Sequence, residues 1–245
     1  MKILLAPSET KTEGGEKNFK LDSLLFKELT PTRANLLKTY QDIIDNSTLD
    51  ELKVFFGIKK ESEILKYRVN LQEQTAKKAI ERYSGVAFDY LDYNSLNAKA
   101  VNYIDSNLIL FSNLFGAIKA SDYIPNYRVK QGTMLKSIKV EKLYNQELKE
   151  PLNKLLENED ILDIRAGYYN KFYKPTKNYT TLKFLKGGKV VSHWAKAYRG
   201  LVLRYCAINQ VESIEEFIKL NIPQLDILEI RESKSKQEII YEISD

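Results

Sequence analysis

Lys196, Arg199 and Arg204, with Gly200 between them, are spaced so that one α-helix would present three cations around a residue without a side chain. At 3.6 residues per turn, Arg199 falls at about −60°, Gly200 at about +40° and Arg204 at about +80° from Lys196. Such a face suits an anion: it offers positive charge, and a bare backbone position that a phosphate or another main chain can approach. A solvated basic face, with the glycine used for helix packing, would employ the same residues, and the pattern alone leaves both readings open. Ala197, Leu201, Tyr205 and Ile208 gather on the other side and are expected to face the core.

This helix lies inside an unusual stretch of charge. The 48 residues between Asp163 and Glu212 contain no carboxylate and ten Lys or Arg, including Arg165. The whole chain is net +5, so the segment holds +10 and the remainder sums to −5. Segregation of that kind is an electrostatic footprint, since interspersed signs would serve solubility better. Six tyrosines, among them Tyr169, share the segment with the chain's one Trp (Trp194) and one His (His193). Cations mixed with flat rings suit a polyanion whose bases can stack. A Lys-rich surface hairpin above core tyrosines accounts for the composition equally well.

A second group, Ser8, Glu9, Thr10, Lys11 and Thr12, follows a short apolar run at the start of the chain. Hydroxyls and an ammonium after a strand can hold an anion, but the GxxxxGK[ST] phosphate loop is absent, and a plain polar turn reads the same way. Glu9 is either the salt-bridge partner of a nearby cation or a carboxylate placed in a basic site for general-base or metal work. Tyr127-Arg128 can stack on and hydrogen-bond a base or phosphate, or support a site from below. His193 is either a titrating group or a structural hydrogen-bonder. Cys206, mid-helix and unpaired, has no feature that would lower its pKa, which argues against a peroxidatic thiol. Asp89 and Asp92, beside Tyr90 and Tyr93, read as an acidic helix start. One Cys and one His cannot supply a zinc ligand set. No metal site and no cofactor are expected.

The elements that must position these groups are legible in part. Lys2–Ala6 reads as a first strand. Thr30-Pro31 opens a helix with Pro in its first turn, and Thr48-x-x-Glu51 is a capping box for a second, stopped at Gly57. Glu61–Tyr83 and Ser95–Ser106 read as further helices, so the first half is expected to be mainly helical. Ile161–Ile164 reads as a strand. Thr180–Leu185 and Val190–Trp194 flank Gly187-Gly188 as a β-hairpin. Ala195–Ile208 is the basic helix, Ser213-x-x-Glu216 caps another, and Leu225–Ile230 with Gln237–Ile243 form a terminal strand pair. The expected class is mixed α/β (α+β), in a single domain over 1–245. At 245 residues and 43% hydrophobic, the chain can bury a large core. No run reaches the roughly 18 apolar residues of a membrane span; the longest, Leu108–Ile118, is interrupted by polar residues. A cytoplasmic protein with no membrane partner is expected.

Read as a string, Ala195-Lys196-Ala197-Tyr198-Arg199-Gly200, followed by Arg204, resembles the A-K-x-x-R-G-x-x-x-R signature of the peroxide-stress protein YaaA family. Leu4 to Thr12 is similar to the family's opening strand and P-S/A-x-x-K turn. Leu114-Phe115-Gly116, Asp122 and Asn126-Tyr127-Arg128 resemble its L-Y/F-G…D…Y-R segment. Asp163-Ile164-Arg165-Ala166-Gly167-Tyr168-Tyr169 resembles a D-L-R-S-G-x-Y form, and Ser84-Gly85-Val86-Ala87 a short G-x-x-Y/F motif. The resemblance runs essentially end to end.

It implies one compact domain of the unusual YaaA-type fold with a positively charged cleft, a role under hydrogen peroxide stress that limits iron-linked damage, and binding of duplex DNA with a helix-hairpin-helix element. It implies no established catalytic activity, and the chain reads as a non-catalytic binding protein. The hairpin in this chain, Asn209-Gln210-Val211-Glu212, departs from the glycine-bearing form and adds a carboxylate. The expected partner is DNA, duplex and without sequence preference, contacted by Lys11, Arg128, Arg165, Lys196, Arg199 and Arg204, with Ser8, Glu9, Tyr127, Tyr169, His193 and Gly200 in support. The alternative is an enzyme or sensor for a small nucleotide-like or phosphorylated anionic ligand, because the motif residues come from separated stretches that could converge on a pocket.

Overall fold

Ile3, Leu4 and Leu5 are buried in successive positions of β1 (Lys2–Leu5), the mark of a strand covered on both faces inside a parallel sheet. The computed structural model describes residues 1–244, with Ser192 and His193 described by their backbone alone. The chain continues through β2 (Lys17–Asn18), α1 (Thr30–Asn46), α2 (Leu49–Phe56), α3 (Glu61–Leu65), β3 (Thr75–Lys78), α4 (Ala79–Arg82), α5 (Val86–Leu91) and α6 (Ala98–Asn107). Next come β4 (Leu108–Ser112), β5 (Gly116–Lys119), β6 (Tyr123–Ile124), α7 (Val140–Glu147), α8 (Lys149–Leu156) and β7 (Ile161–Asp163). The last stretch holds β8 (Tyr179–Lys186), β9 (Lys189–Val190), α9 (Ser192–Ile208), α10 (Ile214–Lys219), β10 (Leu225–Ser233) and β11 (Lys236–Ile243).

The main sheet has eight strands in the order β10-β11-β8-β7-β1-β4-β5, with β9 paired to β8. From β4 to β11 the neighbours along this order are parallel, whereas β5, β9 and β10 are added antiparallel. A smaller sheet joins β2, β3 and β6. The molecule is thus one α/β domain built on a mixed sheet. The chain leaves β1 for β4 on one side, and leaves β7 for β8 on the other. The carboxyl ends of β1 and β7 therefore flank a topological switch point, where open α/β sheets form a crevice.

Locally coded elements form as their residues dictate. Thr48 accepts from the Glu51 amide at 3.3 Å and the Glu51 carboxylate accepts from the Thr48 amide at 2.8 Å, completing the capping box of α2. Gly57 ends that helix at φ +64°. At α10 the Ser213 hydroxyl accepts from the Glu216 amide at 3.1 Å, but the Glu216 carboxylate accepts from the Glu212 amide at 2.8 Å, one residue before the cap.

The first half carries the six helices α1 to α6, as expected, and it also holds the antiparallel pair β4 and β5 over Leu108–Lys119, which a continuous apolar run does not announce because it carries no periodicity to separate a buried strand from a buried helix. Two expectations are corrected. The helix expected over Glu61–Tyr83 stops at Leu65, and Thr75–Lys78 becomes β3, held between β2 and β6 by pairings distant in sequence. The second strand of the Gly187-Gly188 hairpin ends at Val190, because α9 already begins at Ser192.

The core face of α9 is also rotated from the expected one. Tyr198, Val202, Leu203, Cys206 and Ala207 are buried, Leu201 and Tyr205 are half-buried, and Ile208 is 44% exposed. The helix is clasped from two directions, by the main sheet at β8 and by α5 and α6. Arithmetic for a helix with one covered face does not apply to it.

Candidate functional site

The carboxyl end of β1 opens into a cleft of about 400 Å³ at the switch point. One wall is the Pro7–Thr10 turn. The facing wall is α9, which contributes Lys196 and Arg199, and the start of α5 with Ala166 and Tyr169 closes the sides. The volume lies within the range of small-ligand sites, and the lining combines an apolar floor with a few convergent polar groups.

The turn is held by its own side chains. The Thr10 amide donates to Ser8 Oγ at 3.2 Å, the two hydroxyls lie 3.0 Å apart, and Thr10 Oγ1 donates to the Ser84 carbonyl at 3.0 Å. With the Thr10 proton committed to Ser84, the Ser8 hydroxyl is the donor to Thr10 Oγ1. Gly85, at φ +106°, stands where a side chain would meet both hydroxyls at 3.3 Å, so glycine lets the start of α5 lie against the turn. At the far end, any Cβ at Gly200 would overlap the carbonyl of Ala87. The missing side chain of Gly200 admits another backbone, and it sets the spacing of α5 and α9 across the cleft.

Arg199 is the distinctive group on this wall. Its Nε is buried without a hydrogen-bond partner among the described residues. Burial lowers its pKa, opposed by the carboxylate of Asp163. A buried guanidinium donor left open is expensive unless something fills it. Lys196 is exposed at the same wall.

Glu9 lines the cleft and turns its carboxylate to Arg128, whose Nη2 lies 3.4 Å from Glu9 Oε2. Arg128 is itself anchored by Nε donating to the Phe56 carbonyl at 2.8 Å. Lys11 donates to the Ser8 and Glu9 carbonyls at 3.3 and 3.4 Å and stands 4.1 Å from the centre of the Tyr127 ring. Burial, with Arg128 nearby, holds its pKa well below that of an ordinary lysine. Tyr127 is buried beneath the site, its hydroxyl 2.8 Å from that of Tyr83 and 2.7 Å from Ser112 Oγ, a position that supports the turn rather than stacking on a ligand. Tyr169 contributes to the lining, and its hydroxyl donates to Asn113 Oδ1 at 3.1 Å.

Other residues singled out in the sequence are not brought to the cleft. Arg165 is buried and doubly bonded to Asp163, Nε to Oδ1 at 2.8 Å and Nη2 to Oδ2 at 2.6 Å, with further bonds to the Tyr169 and Tyr173 carbonyls. Arg204 donates to the carbonyls of Leu91 and Asp92 at 2.8 and 3.0 Å, closing the end of α5. The side chain of His193 lies outside the described residues. Lys177 binds the carbonyls of Leu156, Glu157 and Glu159 at the end of α8. Three of the ten cations of the basic segment are therefore engaged by oxygens of the fold itself.

The amides of residues 209–212, between α9 and α10, are all engaged within the protein and not open to a phosphate. The Gln210, Val211 and Glu212 amides donate to Ala207 O, Cys206 O and the Glu216 carboxylate, and Val211 O accepts from the Tyr103 hydroxyl at 2.6 Å. Cys206 is fully buried, which raises its thiol pKa. Among the described residues, no three His, Cys, Asp or Glu side chains gather as a metal site requires. Sequence reasoning missed Gln131, which lines the cleft from a loop with no motif to single it out, and the apolar floor at Val86 and Phe88.

A family model described as peroxide stress protein YaaA matches residues 1–230. A Campylobacter jejuni protein whose description is "uncharacterized protein" is 45% identical over 247 residues, covering 100% of both chains. A UPF0246 protein of Corynebacterium glutamicum is 32% identical, with 98% of each chain covered. One from Rickettsia felis is 28% identical, over 98% of this chain and 99% of its own.

Proposed function

We propose that this chain, which belongs to the peroxide stress protein YaaA family, serves the stress response by binding a small phosphorylated, nucleotide-like ligand in the cleft between β1 and α9. The observation that carries the reading is Arg199, which lines a cleft of about 400 Å³ at the switch point of the sheet and whose buried Nε has no hydrogen-bond partner among the described residues. A phosphate there receives the guanidinium, with Lys196 beside it and the Ser8 hydroxyl opposite, while the apolar floor accepts a base or similar ring. Titration of the protein with AMP as probe tests this. Binding should weaken at least about tenfold in Arg199→Met, the loss of one charge-assisted hydrogen bond. Equal binding by the variant, or none by the wild type, would count against it.

DNA is the second reading, and a different surface favours it. Trp194 is 44% exposed, Lys186 lies over its ring at 5.8 Å, and Lys189 is exposed at the same hairpin tip. An exposed ring beside cations suits a nucleic acid strand. Duplex binding here should fall steeply with salt, as counterion release requires, and should be lost in Lys189→Ala/Trp194→Ala. Anisotropy indifferent to salt or to those substitutions removes the reading. Protection against iron-linked damage would, on either reading, be indirect.

A further inference from the structure

A second cavity, of about 280 Å³, adjoins the first; Thr10 lines both. Its inner end presents Lys11 and Arg128, while Lys66, Glu13 and Glu63 line it too. The lining acids Glu13 and Glu63 are both held by Lys66, at 3.1 and 3.2 Å. The inner end is different. Lys11 has carbonyl oxygens and ring faces as partners and makes no ion pair among the described residues, and Arg82 behind it bonds to the carbonyls of Thr12, Gly14, Thr75 and Ile124. The carboxylate in contact there is that of Glu9, which meets Arg128 at 3.4 Å with its side chain 40% exposed.

Lys11, with Arg128 and Arg82 as neighbouring cations, thus lies beside one loosely held carboxylate, which Arg128 alone is seen to touch. Desolvated like charges repel, and the imbalance is relieved most directly by another anion. Arg128 meets one Glu9 carboxylate oxygen through Nη2 and the Glu9 carbonyl through Nη1, both at 3.4 Å, and its fork is of the type that pairs with carboxylates in two parallel bonds.

We infer that Lys11 and Arg128 form a second anion subsite that takes the carboxylate of a small organic acid, in the cavity adjoining the phosphate cleft. The inference extends the proposed function, since the shared Thr10 would make the two cavities halves of one site for a ligand bearing both groups, but the carboxylate subsite rests on its own residues. A carboxylate entering there neutralises Lys11 and shares or replaces Glu9 on Arg128.

The test uses the full chain, with succinate and inorganic phosphate as separate probes followed by ligand-observed NMR. Succinate should bind the wild type in the millimolar range and weaken at least about tenfold in Lys11→Met, the loss of one charge-assisted contact. Arg128→Lys, which keeps the charge and loses the fork, should fall between. Arg199→Met should leave succinate binding unchanged and weaken phosphate. Circular dichroism and the thermal midpoint of each variant establish that it is folded, and Lys11→Gln stands in if Lys11→Met is not. Succinate binding that is absent from the wild type, or equal in folded Lys11 variants and wild type, overturns the subsite. Loss of phosphate sensitivity to Arg199 with succinate still dependent on Lys11 would overturn the phosphate reading instead.

Discussion

Asp163 and Arg165, two residues apart at the end of β7, face each other in a buried, doubly bonded ion pair, with Nη2 to Oδ2 at 2.6 Å and Nε to Oδ1 at 2.8 Å. The Arg165 guanidinium also stacks over the Phe111 ring at 4.2 Å. A cation that the sequence offers to a ligand is here a fastener between the end of β7 and the segment reaching Tyr173.

Removing one partner leaves the other charged and buried. Arg165→Met should therefore destabilise the fold by about 3–5 kcal/mol in urea unfolding, and Asp163→Asn/Arg165→Met should cost less than the sum of the single changes. Additive losses would mean that the two residues act independently.

Gly200→Ala runs against helix propensity. Alanine is the better helix former, yet its methyl would overlap the Ala87 carbonyl. Separating α5 from α9 should destabilise the protein by about 1–3 kcal/mol and should also weaken AMP binding, because both helices line the cleft. A stabilised variant with unaltered binding would refute the close approach.

Lys11 should leave a signature in stability against pH. Its folded pKa is depressed below the ordinary lysine value of 10.5 by burial and by Arg128. Between the two values the unfolded chain holds a proton that the native state has released, so wild-type stability gains with rising pH relative to Lys11→Met. Below the folded pKa the penalty is fully present. Denaturation midpoints of the two proteins, compared from neutrality to pH 10.5, should converge or cross in favour of the wild type; a constant difference would place Lys11 in an ordinary environment.

Cys206 should be inert in the native protein. It is fully buried and its thiol pKa is raised by burial, so a thiol reagent should label it only at the rate of unfolding. Rapid labelling of folded protein, or sulfenic acid formed there by mild peroxide, would return it to the list of redox groups.

Legibility from sequence followed the range of the interactions. The capping box of Thr48 and Glu51, the stop at Gly57 and the Gly187-Gly188 turn depend on neighbours within a few residues, and they formed where the chain indicated, as did the terminal strand pair, whose partners are close in sequence. The central hairpin of β4 and β5 did not show itself, since strands buried on both faces carry no alternation, and β3 exists only because β2 and β6 flank it. In the candidate site, the Ser8–Lys11 turn and the helix bearing Lys196 and Arg199 were visible as patterns of residue type.

By itself, then, the sequence determined the family, the α/β class, the basic segment and the two stretches that wall the cleft, all of them properties of residue order and local spacing. Only the tertiary structure decided which cations remain available to a ligand. Arg165, Arg204 and Lys177 look like Arg199 in a string, but three of the four are satisfied by carboxylates or helix-end carbonyls that arrive from elsewhere in the fold, and Arg199 is left with an open Nε. Charge is written in the residue, whereas its neutralisation depends on where distant backbone and side-chain oxygens come to rest.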